Sequence, residues 1–276
     1  MRYYELIGLK REPFAMTPDP EFFFESKAHG EILNRLEITL RLNRGLSVIM
    51  GGIGTGKTTM SRLLLSRFVD FGKNFQFYLI MDPTWENTRE FLVYLKRLFG
   101  LRGSSLYQSE MLNQLENFLI DMAVKQNKQI VLIIDEGQKM GAEQIEVIRT
   151  LLNFETNRRK LIQVVIFAQP EFKEVVEAHE NFKDRIAFGS TIPPLDREDT
   201  MAFIDYRVAE AGYDRDEPLF DKASKEMIYQ ETNGFPRKIV NLCHHLVVDM
   251  LVYNRQTVDG ELVLNRLKNP DKNYAT

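Results

Sequence analysis

Short, predominantly apolar runs alternate with longer segments of helical periodicity over most of the first 194 residues of the 276-residue chain. The apolar runs cover residues 46–50, 75–81, 130–134 and 161–168. Runs of this length without polar alternation are typical of strands buried on both faces, as in a parallel sheet covered by helices. The pattern therefore predicts an α/β fold in which strands and helices alternate along the chain.

Apolar residues at spacings of three and four predict the helices that separate these strands. The helix over residues 26–43 carries Ile32, Leu33, Leu36 and Leu40 on one side. Further helices are predicted from about residue 56 onward and over residues 87–99, 110–126 and 142–155. Together the strands and helices predict a parallel sheet sandwiched by helices.

Beyond Leu195 the strand pattern stops and only helical periodicity remains. One predicted helix ends at Gly212, a second covers residues 221–231, and a third opens at Pro236, where a proline suits the first helical turn. The first 25 residues are rich in proline and phenylalanine, which excludes a long helix. We therefore predict three parts: an N-terminal segment (residues 1–25) packing on the core, an α/β domain (26–194) and a C-terminal α-helical domain (195–276).

Composition narrows the classes of protein only slightly. A net charge of −3 gives the whole chain no electrostatic attraction to nucleic acid, although a local basic patch remains compatible with it. The single cysteine, Cys243, excludes an internal disulfide and agrees with a cytoplasmic location. No run approaches the roughly 20 apolar residues of a membrane span, so we expect no anchor in the bilayer.

The first predicted strand is followed directly by the phosphate-binding pattern G-x-x-x-x-G-K-[ST]. Glycines are needed there because backbone N–H groups must approach phosphate oxygens closely. Lys57 is predicted to reach the β- and γ-phosphates, and the Thr58 hydroxyl to bind Mg²⁺. The predicted nucleotide-binding residues of this loop are Gly51, Gly52, Ile53, Gly54, Thr55, Gly56, Lys57, Thr58 and Thr59.

The ends of the third and fourth predicted strands carry polar residues that complete a hydrolytic site. Asp135 ends the third apolar run and is predicted to hold Mg²⁺, while Glu136 is predicted to polarise the attacking water. Gln169 follows the fourth run and is predicted to sense the γ-phosphate or orient water; a turn-forming polar residue is the alternative. Ligands of open α/β sheets bind beyond the carboxyl ends of the strands, where all three lie.

Two arginines are further candidates. Arg185 precedes the predicted domain boundary, and we expect it either to reach the nucleotide of a neighbouring subunit as an arginine finger or to be an ordinary surface arginine. Pro236 and Arg237 open a helix of the C-terminal domain, and Arg237 is predicted to contact phosphate from that side.

These residues together resemble an AAA+ ATPase. More narrowly, the chain is similar to the general secretion pathway protein A (ExeA-like) family from residue 1 to about residue 265. The segments that carry the narrower resemblance are Tyr3-Tyr-Glu-Leu-Ile-Gly-Leu9, Pro13-Phe14, Thr17-Pro-Asp-Pro20, Leu151-Leu-Asn-Phe-Glu-Thr156 and Ala168-Gln-Pro-Glu171.

The resemblance implies a RecA-like AAA+ core with a helical lid, hydrolysis of Mg·ATP, and a homo-oligomer with the nucleotide between subunits. It also makes the region of Pro13 and Phe14 a candidate wall of the adenine site, with packing on the core as an equal explanation. Two departures stand out. Longer secretion-type relatives continue into a membrane segment and a periplasmic region beyond the lid, and Asp82 stands where many relatives carry asparagine at the end of the second strand.

Three functions follow as expectations. The first is an assembly factor of a secretion or pilus system, which the family resemblance favours. The second is an ATP-dependent DNA-binding regulator of transposition, for which the basic cluster Asn157-Arg158-Arg159-Lys160 is a candidate contact with a nucleic-acid backbone; a solvated loop is the alternative reading of that cluster. The third is a nucleotide switch that binds ATP without hydrolysing it.

Overall fold

The computed structural model describes residues 2–15, 20–68, 74–103, 105–157 and 159–269. Residues 17–19 of the N-terminal motif and Arg158 of the basic cluster lie outside this part of the chain. The chain divides into two compact units. We call Ala28–Gly52 with Met60–Ile192 the α/β unit, and Met1–Lys27, Ile53–Thr59 and Pro193–Thr276 together the helical unit.

The α/β unit is built on a five-stranded sheet in which every strand pair is parallel. The order across the sheet is β2-β3-β4-β1-β5. The α/β class and the parallel sheet predicted from the apolar runs are confirmed. The strands are β1 (Leu46–Gly51), β2 (Phe75–Ile80), β3 (Gln129–Ile134), β4 (Ile162–Ala168) and β5 (Ile186–Ile192).

Helices follow the strands along the chain, as the periodicity predicts. The α3 helix begins where the Asn87 side chain accepts a hydrogen bond from the Glu90 N–H, a cap that satisfies one of the orphan amides of the first turn. Here the helices are α1 (Lys27–Arg41), α2 (Lys57–Arg67), α3 (Thr88–Leu98), α4 (Gln108–Ile120), α5 (Ala142–Leu152), α6 (Phe172–Ala178) and α7 (Glu180–Lys183). A π-helical turn (Asp121–Lys125) continues α4, so the helix predicted over residues 110–126 changes its hydrogen bonding near its end.

The edge strand β5 is absent from the sequence prediction. Its side chains alternate between half-buried and exposed up to the buried Ile192, and Gly189 and Ser190 interrupt its apolar character. The prediction required continuous apolar runs, which describe strands covered on both faces. An edge strand paired on one side only with β1 does not need such a run.

Capping residues start most helices of the helical unit. Asp196, Asp221 and Asp259 each accept a hydrogen bond from the backbone N–H three residues later, and Pro236 occupies the first turn of its helix. The described helices are α8 (Arg197–Glu210), α9 (Lys222–Thr232), α10 (Pro236–Val252) and α11 (Gly260–Lys268). Two short 3₁₀ turns, Tyr3–Ile7 and Pro20–Phe22, belong to the N-terminal segment.

The N-terminal segment packs within the helical unit. Its apolar side chains Tyr4, Ile7, Leu9, Phe14 and Phe22 are buried in one cluster with side chains of α8, α9, α10 and α11. Phe14 is 1% exposed and lies edge-to-face against Phe220, with 5.6 Å between ring centroids. A proline- and phenylalanine-rich composition predicts burial but does not specify the partner surface.

Arg207 of α8 anchors this segment. Its side chain is buried, its Nε donates to the Pro13 carbonyl at 2.6 Å, and its guanidinium lies 4.9 Å from the centroid of the Phe22 ring. The Lys10 N–H adds a main-chain bond of 2.9 Å to the Ala211 carbonyl at the end of the same helix. A buried guanidinium needs such acceptors because an unpaired charge there would be costly.

Replacing Arg207 with alanine is expected to lower the free energy of unfolding by about 2–3 kcal/mol, since the change removes a buried charged hydrogen bond and a cation–π contact. Equilibrium urea unfolding measures the loss. Arg11→Ala is the matched control, because Arg11 also lies over the Phe22 ring, at 4.6 Å, but pairs with Glu21 on the surface. It should cost less than about 1 kcal/mol. Equal losses in the two variants would contradict the anchoring role.

Candidate functional site

Three neighbouring strand ends of the α/β unit carry the polar residues predicted for the site. In register, Ile134 of β3 lies beside Ile166 of β4, and Ala168 of β4 lies beside Met50 of β1. Because the strands are parallel, their carboxyl ends meet at one edge of the sheet. Asp135 and Glu136 therefore leave this edge next to Gln169, and the phosphate-loop sequence leaves it from the adjacent β1.

Within the helical unit the phosphate loop is joined to the start of α10. The Arg237 N–H donates to the Gly54 carbonyl at 3.2 Å. Gly54 has a φ of +80°, and a Cβ added to it would lie 2.5 Å from the Arg237 Cβ. Only glycine meets both conditions, the left-handed backbone and the close approach. The structure thus brings together two of the predicted elements, the loop glycine and Arg237, with Pro236 in the first turn of the helix.

The loop continues into α2 with two of its polar residues, Thr55 and Lys57, buried. Thr55 is 1% exposed and Lys57 is 7% exposed. Thr58 and Thr59 are half-buried in the same first turn. A lysine at a helix N-terminus opposes the helix dipole, and an anion bound at this position interacts favourably with both. The glycine cradle and the buried ammonium fit a phosphate group.

The acid pair after β3 has a constrained backbone. Glu136 adopts a left-handed conformation, with φ 54° and ψ 35°, which is uncommon for a residue with a side chain. Its N–H donates to Oδ1 of Asp135 at 2.9 Å, and Asp135 is buried at 1% exposure. Residues held in such conformations concentrate at functional sites, where the surrounding structure offsets the strain.

Gly137 brings this turn against β4. A Cβ on Gly137 would lie 2.3 Å from Cγ2 of Ile166, so the main chain passes β4 at a distance that no other residue allows. The 3₁₀ turn Gly137–Lys139 follows and places Gln138 between the two strand ends. Gln138 is a site residue that sequence reasoning missed. Its position two residues after Glu136, in a turn beginning with glycine, was the available signal.

Asp82, the residue that departs from the family pattern, lies at the end of β2 and does not bond to Glu136. Its Oδ1 accepts hydrogen bonds from the Thr84 hydroxyl at 2.6 Å and from Lys139 Nζ at 3.2 Å. The hydroxyl contact, followed by that of the ammonium, lowers the pKa of Asp82. Asp82 is therefore linked to the turn after β3 through Lys139.

Arg185 lies elsewhere in the α/β unit. It immediately precedes β5, whose first residue Ile186 pairs with Leu46 at the start of β1. It therefore lies near the amino ends of the strands, opposite the edge that carries Glu136 and Gln169. Of the basic cluster, Lys160 pairs with Glu155 and Arg159 donates to Asn127 at 3.4 Å. The charge of Lys160 is thus compensated within the unit.

The oxygen donors present fit Mg²⁺, which prefers hard oxygen ligands and usually binds through one or two protein groups together with substrate phosphates. The Thr58 hydroxyl and the Asp135 carboxylate are donors of this kind. Across the described ranges there is no group of three or more His, Cys, Asp or Glu side chains that would hold a metal ion by itself. In the same part of the chain, no helix is both long enough and apolar enough to cross a membrane.

A parallel sheet with a phosphate loop after β1 and an acid pair after β3 defines a P-loop nucleotide-binding protein of the α/β class. Residues 40–176 match the family model described as AAA domain. This match, over about half of the chain, confirms the resemblance to AAA+ ATPases predicted from the sequence.

The narrower resemblance is confirmed as well. Over 250 residues the chain is 28% identical to General secretion pathway protein A of Aeromonas hydrophila, an alignment that covers 89% of this chain and 44% of that protein. The chain thus spans less than half the length of this relative. It is also 24% identical to an uncharacterised ATP-binding protein of Methanocaldococcus jannaschii, over 87% of this chain and 74% of the relative.

A solved structure confirms the fold. The ORC2 protein of Aeropyrum pernix, in its ADPNP–ADP complexes, superposes with a TM-score of 0.68 and 17% identity, covering 95% of this chain and 72% of that chain. At this identity the likeness concerns the architecture alone, a parallel sheet with helices followed by a helical region.

Replacing Gly137 with alanine is expected to destabilise the α/β unit by about 1–3 kcal/mol, because the added methyl group would overlap Ile166. Urea unfolding measures the change. Gly189→Ala on β5 is the control, since a Cβ there would lie 3.7 Å from Ile186, an ordinary contact. That variant should stay within about 1 kcal/mol of the unaltered protein. A Gly137→Ala protein as stable as this control would contradict the close approach to β4.

Proposed function

We propose that this protein is an ATPase that binds Mg·ATP, hydrolyses it, and uses the nucleotide state to drive assembly of a homo-oligomer within a secretion or pilus apparatus. The chemical part is supported by the adjacent ends of β1, β4 and β3, which carry the phosphate loop, Gln169 and the acid pair. The biological part is supported by the similarity to General secretion pathway protein A over 89% of the chain. The single cysteine is compatible with action in the cytoplasm.

In this proposal each residue has a separate task. Lys57 and the loop amides bind the phosphates, and Arg237, whose main chain is hydrogen-bonded to Gly54, contacts phosphate from α10. Thr58 and Asp135 would hold Mg²⁺, which would neutralise part of the phosphate charge. Glu136 accepts a proton from the attacking water, and Gln169 orients that water or senses the γ-phosphate.

Arg185 takes part from a neighbouring subunit. Its position near the amino ends of the strands separates it from Glu136 in the same sheet, so a role in its own nucleotide site is not supported. An arginine at that edge suits an oligomer in which it stabilises transition-state charge on the nucleotide of the next protomer.

Glu136→Gln is expected to retain ATP binding and to lower kcat at least about 100-fold, because the amide cannot accept a proton from water. ATP affinity is measured by titration and turnover by phosphate release. Glu174→Gln, which removes a carboxylate exposed on α6, is the control and should keep full turnover. Lys57→Ala should instead lose ATP binding. Unchanged phosphate release from Glu136→Gln would remove this residue from the mechanism.

A mixing experiment tests the role of Arg185 in trans. Arg185→Ala and Glu136→Gln are each expected to be inactive alone, because one lacks the finger and the other lacks the base. Mixed together, the first protein supplies intact Glu136 and the second supplies intact Arg185 to the shared site. Turnover of the mixture should therefore rise above that of either variant. A mixture as inactive as its components would overturn the trans assignment.

A further inference from the structure

One glutamine side chain connects the ends of β3 and β4. Gln138 Nε2 donates to Glu136 Oε2 at 2.6 Å, and Gln138 Oε1 accepts from the Gln169 N–H at 2.9 Å. The acid that follows β3 is thereby tied to the main chain that follows β4. The link is local to the α/β unit and joins the two residues proposed to handle the attacking water.

The orientation of this amide follows from its partners. A backbone N–H can only donate, so the group facing Gln169 must be the carbonyl oxygen of Gln138. The amide NH₂ then necessarily faces Glu136. An ionised carboxylate oxygen can only accept a hydrogen bond. Both contacts are therefore satisfied in only one orientation of the Gln138 amide.

The backbone of the turn leaves little other freedom at this point. Glu136 is in the left-handed region and its N–H is bonded to Asp135, while Gly137 lies against Ile166. The main chain on both sides of the acid is thus held, and the remaining freedom lies in the side-chain torsions of Glu136. The bond from Gln138 restricts these torsions.

The next residue, Lys139, has a different partner. Its ammonium lies 3.2 Å from Oδ1 of Asp82 at the end of β2. Lys139 thus pairs with Asp82, and the group bonded to Glu136 is the neutral amide of Gln138. A neutral donor orients a carboxylate without placing a positive charge beside it. Such a charge would favour the ionised form and so weaken the carboxylate as a proton acceptor.

We infer that Gln138 is a positioning residue for Glu136: it holds one carboxylate oxygen so that the other faces the attacking water, and it sets that carboxylate relative to the end of β4. The inference rests on the proposed hydrolytic role of Glu136. Gln138 itself neither takes a proton nor touches the reacting phosphate.

Gln138→Glu tests the inference with almost no change in shape. A glutamate still accepts from the Gln169 N–H, but when ionised it cannot donate to Glu136 and repels it. We expect kcat to fall roughly 10- to 100-fold, the scale associated with a misplaced catalytic group, while the KM for ATP stays within about threefold. Gln126→Glu is the matched control, because Gln126 also donates to a carboxylate, that of Asp121, but precedes β3 at the opposite edge of the sheet. It should leave both constants unchanged.

A second pair of variants separates positioning from a merely structural role. In a Glu136→Gln background, Gln138→Ala should cause no further loss of single-turnover rate, since no carboxylate remains to be positioned. In the unaltered background the same change should lower kcat as Gln138→Glu does. Equal losses in both backgrounds, or unchanged kcat in Gln138→Glu, would overturn the inference and leave the proposed hydrolysis intact. An unaltered protein that binds ATP but shows no turnover at any protein concentration would overturn both.

Discussion

The pairing of β4 with β3 on one side and β1 on the other is the constraint on which the candidate site depends. All seven residues of β4 are buried, so its register cannot shift without exposing apolar side chains or breaking main-chain hydrogen bonds. That register places Gln169, the acid pair and the two glycines that begin the phosphate-loop sequence, Gly51 and Gly52, at three consecutive strand ends. Because β4 also contacts Gly137 through Ile166, the same strand that orders the sheet limits the backbone that carries Glu136.

The site combines fixed backbone with directed side chains. The turn after β3 has one residue in a left-handed conformation, one glycine at a close approach, and then two polar residues that bond in different directions. Gln138 contacts the ends of β3 and β4, while Lys139 reaches Asp82 at the end of β2. Two residues in one short turn therefore connect three strand ends, which accounts for the constrained geometry around Glu136.

Motifs and buried strands could be predicted from the sequence because each depends on local physical requirements. Apolar runs predict β1 to β4, and the glycine pattern before Lys57 predicts a phosphate loop. The sequence does not predict the edge strand β5 because its burial alternates. Composition likewise does not encode which surface the N-terminal segment packs against. Gln138 was missed for a related reason: its role depends on a hydrogen bond to the main chain at Gln169, thirty-one positions away.

The N-terminal segment also has a consequence for how the chain is made. The bond from Arg207 to Pro13 spans 194 positions, and the contact of the Tyr3 hydroxyl with His244 spans 241. The α/β unit lies almost entirely between these partners in sequence, so a ribosome completes it before it makes the helices that bury residues 2–15. The apolar segment is thus made before α8 and α10, the helices that bury it. Its aromatic side chains lack the cluster that buries them during that interval, and transiently exposed apolar surface of this kind promotes aggregation.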